Sequence, residues 1–416
     1  MPAGRAAPVL VRLALRVGGA APIGALAGAA AAVFLWLLDR VTEARVAHPD
    51  LVYLLPIAGL VLGYGYERWG APVAQGTSLA ILRARDADPA APRVPIRMAP
   101  MALAGTLITH LFGGSAGREG TAVQISASLV DGWLVQWKLD ANVRRDLVAA
   151  AIAAGFGAVF GTPIAGAIFG VEVIGVVGRR SLRSARPGAL LPAVIASVVG
   201  DRVARALGAV HSPYPLVHEV PFEISIAWKW LVLAAALAAT TFVFIEGVER
   251  LKHLAVRFSV RLPVRLFIGG LVVVALTLVA RTDAYLGLGV PSILSAFDRA
   301  PGASVFAWKL AFTVVTIGAG FIGGEVTPLF FVGATLGSAL AGALGLPVGL
   351  GAAIGMATLF GAASNTPIAL SVMAMELCGS GVFPHVFVVA FLAWLAKGRR
   401  SIYSAQRWAP EPETPG

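Results

Sequence analysis

Four breaks marked by glycine or proline interrupt an otherwise apolar chain, and two of them carry carboxylates. The first reads Gly113-Gly114-Ser115-Ala116-Gly117-Arg118-Glu119-Gly120-Thr121, and the second Gly323-Gly324-Glu325-Val326-Thr327-Pro328. The other two are Gly161-Thr162-Pro163 and Asn365-Thr366-Pro367. Glycine lets the backbone adopt angles that other residues avoid and lets a ligand approach closely. A helix starting at such a break, for instance at Gly120, aims free N–H groups at whatever lies before it. Its macrodipole adds to the attraction for an anion, and a proline suits the first turn. Several such ends meeting inside a membrane make an anion site of partial charges, one that binds an ion and still releases it. Close helix packing explains an isolated Gly-x-x-x-Gly. Four breaks in one chain, two with carboxylates, point to function.

The carboxylates sharpen this reading. Glu325 is the only charged residue between Leu310 and Met375. A charge at the centre of a bilayer costs about 2.5–3.5 kcal/mol on insertion scales, so such a residue is functional by default and often relays protons. Glu119 adjoins Arg118, and a local ion pair is the alternative to a transport role there. Glu172 and Glu376 are expected to act structurally, satisfying backbone donors at loop ends. His110 reads as a packed core histidine. No histidine pair has metal-ligand spacing, so no metal and no cofactor are expected. Ser115 lacks a His/Asp partner set, and no phosphate-binding loop or metalloprotease motif is present, which leaves an enzyme unsupported.

The elements that must position these residues follow from composition. Of 416 residues, 57% are hydrophobic and 13% charged, against about 25% charged in soluble domains. The mean hydropathy is +0.80. The chain reads as an all-α polytopic membrane protein. With Cys378 the only cysteine, a disulfide-stapled secreted fold and a cysteine-rich metal site are excluded. The formal net charge of +11 would suggest nucleic acid in a soluble protein. Here the basic residues cluster between apolar runs, at Arg179, Arg180, Arg183 and Arg186 and again at Lys397, Arg399 and Arg400, where loop charges fix topology. No nucleic-acid partner is expected.

Arg5, Arg12 and Arg16 precede the uncharged stretch Val17–Leu38, which is long enough to span as a retained first helix rather than a cleaved signal. Both termini are expected in the cytoplasm. Further apolar runs, several too short to cross alone, give roughly a dozen embedded segments. Residues 1–405 are expected to form a single transmembrane domain with halves near 1–210 and 220–405. The tail 406–416 is expected to be disordered, with no soluble regulatory domain.

An internal repeat relates the halves. Residues 155–172 (GFGAVFGTPIAGAIFGVE) and 355–376 (GMATLFGAASNTPIALSVMAME) share Gly, Phe-Gly and Thr-Pro-Ile-Ala, and each has a Glu nine residues after its Pro. Glycine-broken elements in matching order are a transporter signature. Similarity alone leaves open whether the halves are parallel or inverted.

On these residues the sequence resembles the CLC family of chloride channels and anion/proton antiporters. The resemblance runs from roughly Gly76 to Tyr403 and rests on 117-GREG-120, the Gly155–Phe169 stretch, 323-GGEVTP-328 and 402-IYS-404. It implies an inverted repeat of tilted, partly broken transmembrane helices, assembled as a homodimer with one pathway per subunit. It also implies that Glu119 is the gating, proton-carrying glutamate and that the Tyr403 hydroxyl helps form the ion site. The family's chloride-site motif should lie near Gly76-Thr77-Ser78-Leu79 and is not intact. The internal proton glutamate of chloride/proton antiporters falls at Val173.

GREG followed by Thr121, the Glu325-Val326-Thr327 break, the lost chloride motif and the retained tyrosine resemble the fluoride-exporting subgroup. There the matches to Glu119, Glu325, Thr327 and Tyr403 line the fluoride and proton route. Members usually carry Asn where this chain has Thr77 and Ser78. The resemblance therefore implies a fluoride/proton antiporter in a bacterial inner membrane. Glu119 and Glu325 would couple protons. Gly117, Arg118, Gly120, Thr121, Val326, Thr327, Tyr403, Thr77 and Ser78 would hold the anion. A chloride/proton antiporter or passive anion channel of the same fold stays open, as do, more remotely, a membrane enzyme and a scaffold.

Overall fold

The computed structural model describes residues 9–406 except 71–72, 74, 87–92, 138, 176–186 and 219. The arginine cluster at 179–186 lies outside the described residues. Apolar runs punctuated by Gly and Pro fold as sixteen α-helices among the described residues, eight from each half. The first half supplies α1 (Val9–Ala47), α2 (Leu55–Trp69), α3 (Thr77–Arg85) and α4 (Met98–Leu111), then α5 (Glu119–Leu134), α6 (Ala141–Phe160), α7 (Pro163–Glu172) and α8 (Pro187–Ala206). The second supplies α9 (Ala227–Arg257), α10 (Leu262–Ala280), α11 (Val290–Asp298) and α12 (Val305–Ala319), then α13 (Val326–Ala343), α14 (Val348–Ser364), α15 (Pro367–Cys378) and α16 (Phe383–Ala396).

Helix lengths run in a similar order in both halves, each opening on its longest helix and carrying its shortest third. Among the described residues, five segments are long and apolar enough to cross a membrane: Val9–Ala47, Pro49–Trp69, Ile224–Arg257, Leu262–Ala280 and Val326–Ala343. Several others fall short. At 1.5 Å per residue, the 16 residues of α5 reach only about 24 Å, less than the roughly 30 Å of a bilayer core. Such helices end inside the protein, where neighbouring helices shield their open ends.

Two prolines and two glycines show that the repeat is inverted. Pro56 and Gly63 of α2 correspond to Pro263 and Gly270 of α10. Gly63 abuts Pro263, and Gly270 abuts Pro56. Equivalent helices thus pack side by side in opposite directions. A second reciprocal pair lies deeper. Glu172, at the end of α7, accepts hydrogen bonds from the amides of Ile368 (3.1 Å) and Ala369 (2.8 Å) in the first turn of α15. Glu376, in α15, accepts from Ile164 (3.0 Å) and Ala165 (2.7 Å) in the first turn of α7. The expected structural role for these glutamates is realised as a pair of crossed helix caps.

Close backbone approach binds α13 to α14. A Cβ on Gly333 would lie 2.1 Å from the carbonyl oxygen of Gly355, and one on Gly355 would lie 1.9 Å from that of Gly333. Small residues of this kind let membrane helices pack on their backbones. The stacked rings of Phe156 and Phe169, 4.0 Å between centroids, continue through Phe160, Phe330 and Phe360. They form an apolar wall joining α6, α7, α13 and α14.

Two expected boundaries change. The first helix runs from Val9 to Ala47, well beyond Val17–Leu38, and carries Pro22 within it. Gln406, assigned to a disordered tail, is buried in a short 3-10 turn with Ser404 and Ala405. Its amide side chain finds partners that hold it: Nε2 donates to the Val173 carbonyl at 2.8 Å. Residues 407–416 lie outside the described residues.

Candidate functional site

The two carboxylate-bearing breaks meet. Gly117 N–H donates to the Gly324 carbonyl at 2.6 Å, and Gly324 N–H donates to the Gly117 carbonyl at 2.8 Å. This antiparallel bridge brings the start of α5, at Glu119, against the start of α13, at Val326. Glu119 is 1% exposed. Its Oε2 accepts from the amides of Arg118 (3.1 Å) and Thr327 (3.2 Å), and its Oε1 accepts from the Thr327 hydroxyl. Arg118 Nε lies 3.5 Å from the same Oε1, and Arg118 Nη2 reaches the Ser212 hydroxyl at 3.5 Å. A carboxylate therefore sits on the N-terminus of α13, in the place that a dipole and free amides offer to an anion.

Glu325 stands on the other side of this contact. Its Oε2 is 3.7 Å from where a Cβ on Gly120 would stand. It lines a cavity of about 390 Å³ together with Thr77, Ser78, Glu249, Lys252 and Tyr403. Gly323, next to the bridge, also lines this cavity. Thr77 opens α3 after Gly76 at φ +52°. Its hydroxyl donates to the Gly120 carbonyl at 3.5 Å and accepts from Gln124 Nε2 at 3.2 Å. Tyr403 is buried beside the cavity, its backbone amide fixed by the Ser401 hydroxyl at 3.0 Å.

Three details of the expected site change. The Gly117 amide is consumed by the bridge to Gly324 and is not offered to an ion. The Thr121 hydroxyl turns away to Thr106 Oγ1 at 2.6 Å, so only the backbone of Thr121 faces the break. The N-termini of α7 and α15, expected to add two more anion-attracting ends, are capped by Glu376 and Glu172. The converging ends are those of α3, α5 and α13, with Thr77, Ser78, Glu119, Gly120, Val326 and Thr327 in their first turns.

The sequence profile of the voltage gated chloride channel family matches residues 57–397. The chain belongs to the CLC family. Over 396 residues it is 42% identical to a chloride/fluoride channel protein of Pseudomonas syringae pv. tomato, covering 92% of this chain and 84% of that one. The crystal structure of a CLC-type fluoride/proton antiporter superposes with a TM-score of 0.88 at 33% identity, covering 97% of this chain and all of the other. A slow cyanobacterial Cl−/H+ antiporter shares the fold, with a TM-score of 0.80 at 18% identity over 96% and 97% of the two chains.

In this CLC protein no titratable side chain stands at Val173, which is fully buried with its carbonyl bonded to Gln406. Sequence reasoning missed the pair Glu249 and Lys252 near the end of α9, 3.7 Å apart and both on the cavity. An opposite-charge pair spaced i,i+3 at the end of an apolar helix reads as an ordinary solvated terminus. It also misread Lys397. Taken with Arg399 and Arg400 for a topology-setting loop charge, Lys397 is 3% exposed and bonded to Asn365 Oδ1 at 2.6 Å.

Proposed function

We propose that this chain exports fluoride from the cytoplasm in exchange for protons. The observation that carries the reading is the Glu119 carboxylate on the first turn of α13. Ionised, it holds the Thr327 amide and hydroxyl that a fluoride ion would use. Protonated, it has no charge to compete with the anion, and fluoride takes those donors. One group then serves both ions in turn, which is what couples them.

Fluoride is small and strongly hydrated, so its water must be replaced by donors that already point inward. Thr327 and the first amides of α5 and α13 are such donors, and the hydroxyl of Tyr403, which lines the cavity, adds one more in this reading. Hydrogen bonds to a charged partner contribute about 1.5–3 kcal/mol each. Glu325, on the wall of the cavity, takes the proton onward. The CLC-type fluoride/proton antiporter and the chloride/fluoride channel protein among the relatives support this assignment.

Further parts of the reading rest on the same framework. Basic side chains gather on the face where the cavity opens. Arg85 there bonds the Ala405 carbonyl at 2.6 Å, and Lys252 and Arg265 line the mouth. By the positive-inside rule that face is cytoplasmic, with residues 9 and 406 on its side of a bacterial inner membrane. The assembly is a homodimer in the bilayer, one route per subunit. Transport is favoured over hydrolysis because Ser115 Oγ shares a 2.9 Å hydrogen bond with Thr313 Oγ1 rather than with a base.

The test uses proteoliposomes loaded with fluoride at neutral pH and diluted into acidic medium. Fluoride release with acidification of the lumen, and little release from chloride-loaded vesicles, is expected. Comparable chloride release would contradict the fluoride assignment.

A further inference from the structure

Tyr403 is carried by a segment that a buried polar cluster ties to both halves of the fold. Lys397 sits just after α16. Its ammonium donates to Asn365 Oδ1 (2.6 Å), to the Gly398 carbonyl (3.3 Å) and to the Arg400 carbonyl. An ammonium has three hydrogens, and three protein oxygens take them, so none is left for a passing ion. Asn365 occupies the left-handed region at φ 58° between α14 and α15. It also accepts from Trp394 Nε1 at 3.0 Å and donates to Gln406 Oε1 at 3.0 Å.

From Gln406 the cluster reaches the tyrosine. Ser401 Oγ donates to Gln406 Oε1 at 2.5 Å and accepts from the Tyr403 amide at 3.0 Å. Ile402 N–H donates to the Ala363 carbonyl at 3.1 Å, and Gln406 Nε2 donates to the Val173 carbonyl at 2.8 Å. The residues on either side of Tyr403 are thus fixed, and its place against the cavity is set by contacts remote from the ion path. Burying an ammonium is expensive unless every hydrogen is bonded, and this one is bonded throughout to neutral oxygens of the segment it steadies.

We propose that Lys397 is a positioning residue that, through Asn365, sets where the Tyr403 hydroxyl lies in the ion path and so governs the preference for fluoride. The inference rests on the proposed contact of that hydroxyl with the anion. Lys397 and Asn365 touch no ion themselves.

A double-mutant cycle in proteoliposomes tests it, reading the half-saturating fluoride concentration and the fluoride-to-chloride rate ratio. Tyr403→Phe is expected to raise the first roughly tenfold, the worth of one hydrogen bond to an anion. Lys397→Met and Asn365→Gly are expected to do the same, and neither is expected to add to Tyr403→Phe, because coupled residues are not additive. Asn365→Gly keeps the left-handed backbone angle and carries the test if Lys397→Met does not fold. Effects that multiply in the double variants, or an Asn365→Gly protein with unaltered fluoride preference, would overturn the positioning role. A Tyr403→Phe protein that behaves like the parent removes the tyrosine from the ion path. In that case the proposed fluoride route fails first, and the inference with it.

Discussion

Gly117 and Gly324 exchange both of their backbone hydrogen bonds, at 2.6 and 2.8 Å. This one pair joins two breaks some two hundred residues apart in the chain and holds the first turns of α5 and α13 against each other. Everything proposed for the ion route depends on that contact.

A side chain on Gly324 has no room. Its Cβ would lie 2.8 Å from the Gly120 nitrogen and 3.2 Å from the Glu119 nitrogen, and backbone atoms cannot move aside cheaply. Gly324→Ala is therefore expected to cost about 1–3 kcal/mol through overpacking and to abolish fluoride efflux by separating the two helix starts. Thermal unfolding and vesicle efflux on the same preparation check this. A variant that keeps the parent rate would show that the breaks need not touch.

The crossed caps make a symmetric prediction. Glu172 holds two amides of α15, and Glu376 holds two amides of α7. Replacing either by Ala leaves two donors unmet at a helix start, a loss of about 3 kcal/mol. Melting temperatures of Glu172→Ala and Glu376→Ala in detergent are expected to fall by similar amounts. A fall confined to one of them would argue that the caps are not equivalent.

The sequence exposed these features unevenly. The breaks, the repeat and the lone Glu325 were legible because membrane burial makes glycine pairs and carboxylates conspicuous. The sense of the repeat came only with the family resemblance, because internal similarity carries no direction. In the fold it emerges from Gly63 against Pro263 and Gly270 against Pro56. The choice of converging helix ends was also hidden. All four breaks offer a helix start in sequence, and only the fold shows that Glu172 and Glu376 close two of them. Lys397 and Gln406 were misassigned, to a loop and to a tail, because polar residues after an apolar helix resemble solvated ones until their partners are seen.

Thr327 offers both its amide and its hydroxyl at the Glu119 site. Thr327→Ala keeps the amide and loses the hydroxyl. The fluoride-to-chloride rate ratio is expected to fall about tenfold, since the smaller ion gains more from a close donor. An unchanged ratio would remove Thr327 from the filter and direct attention to Thr77 and Ser78 at the start of α3.

Lys252 lines the cavity with Glu249 beside it, while the other cavity cation, Arg265, is bonded to the Ala319 carbonyl. Lys252→Gln is expected to raise the half-saturating fluoride concentration about two- to fivefold at low salt and to flatten its dependence on ionic strength, because exposed charges are screened beyond a Debye length. The fluoride-to-chloride ratio is expected to stay the same. A shift in that ratio would place Lys252 in the filter itself.

The most direct test of the account is proton-coupled fluoride efflux by Glu119→Gln. The carboxamide keeps the shape of the side chain but cannot cycle a proton. The account predicts that an imposed pH gradient no longer drives fluoride out and that fluoride movement no longer acidifies the vesicle lumen. Proton-driven fluoride efflux that survives the substitution intact would contradict it.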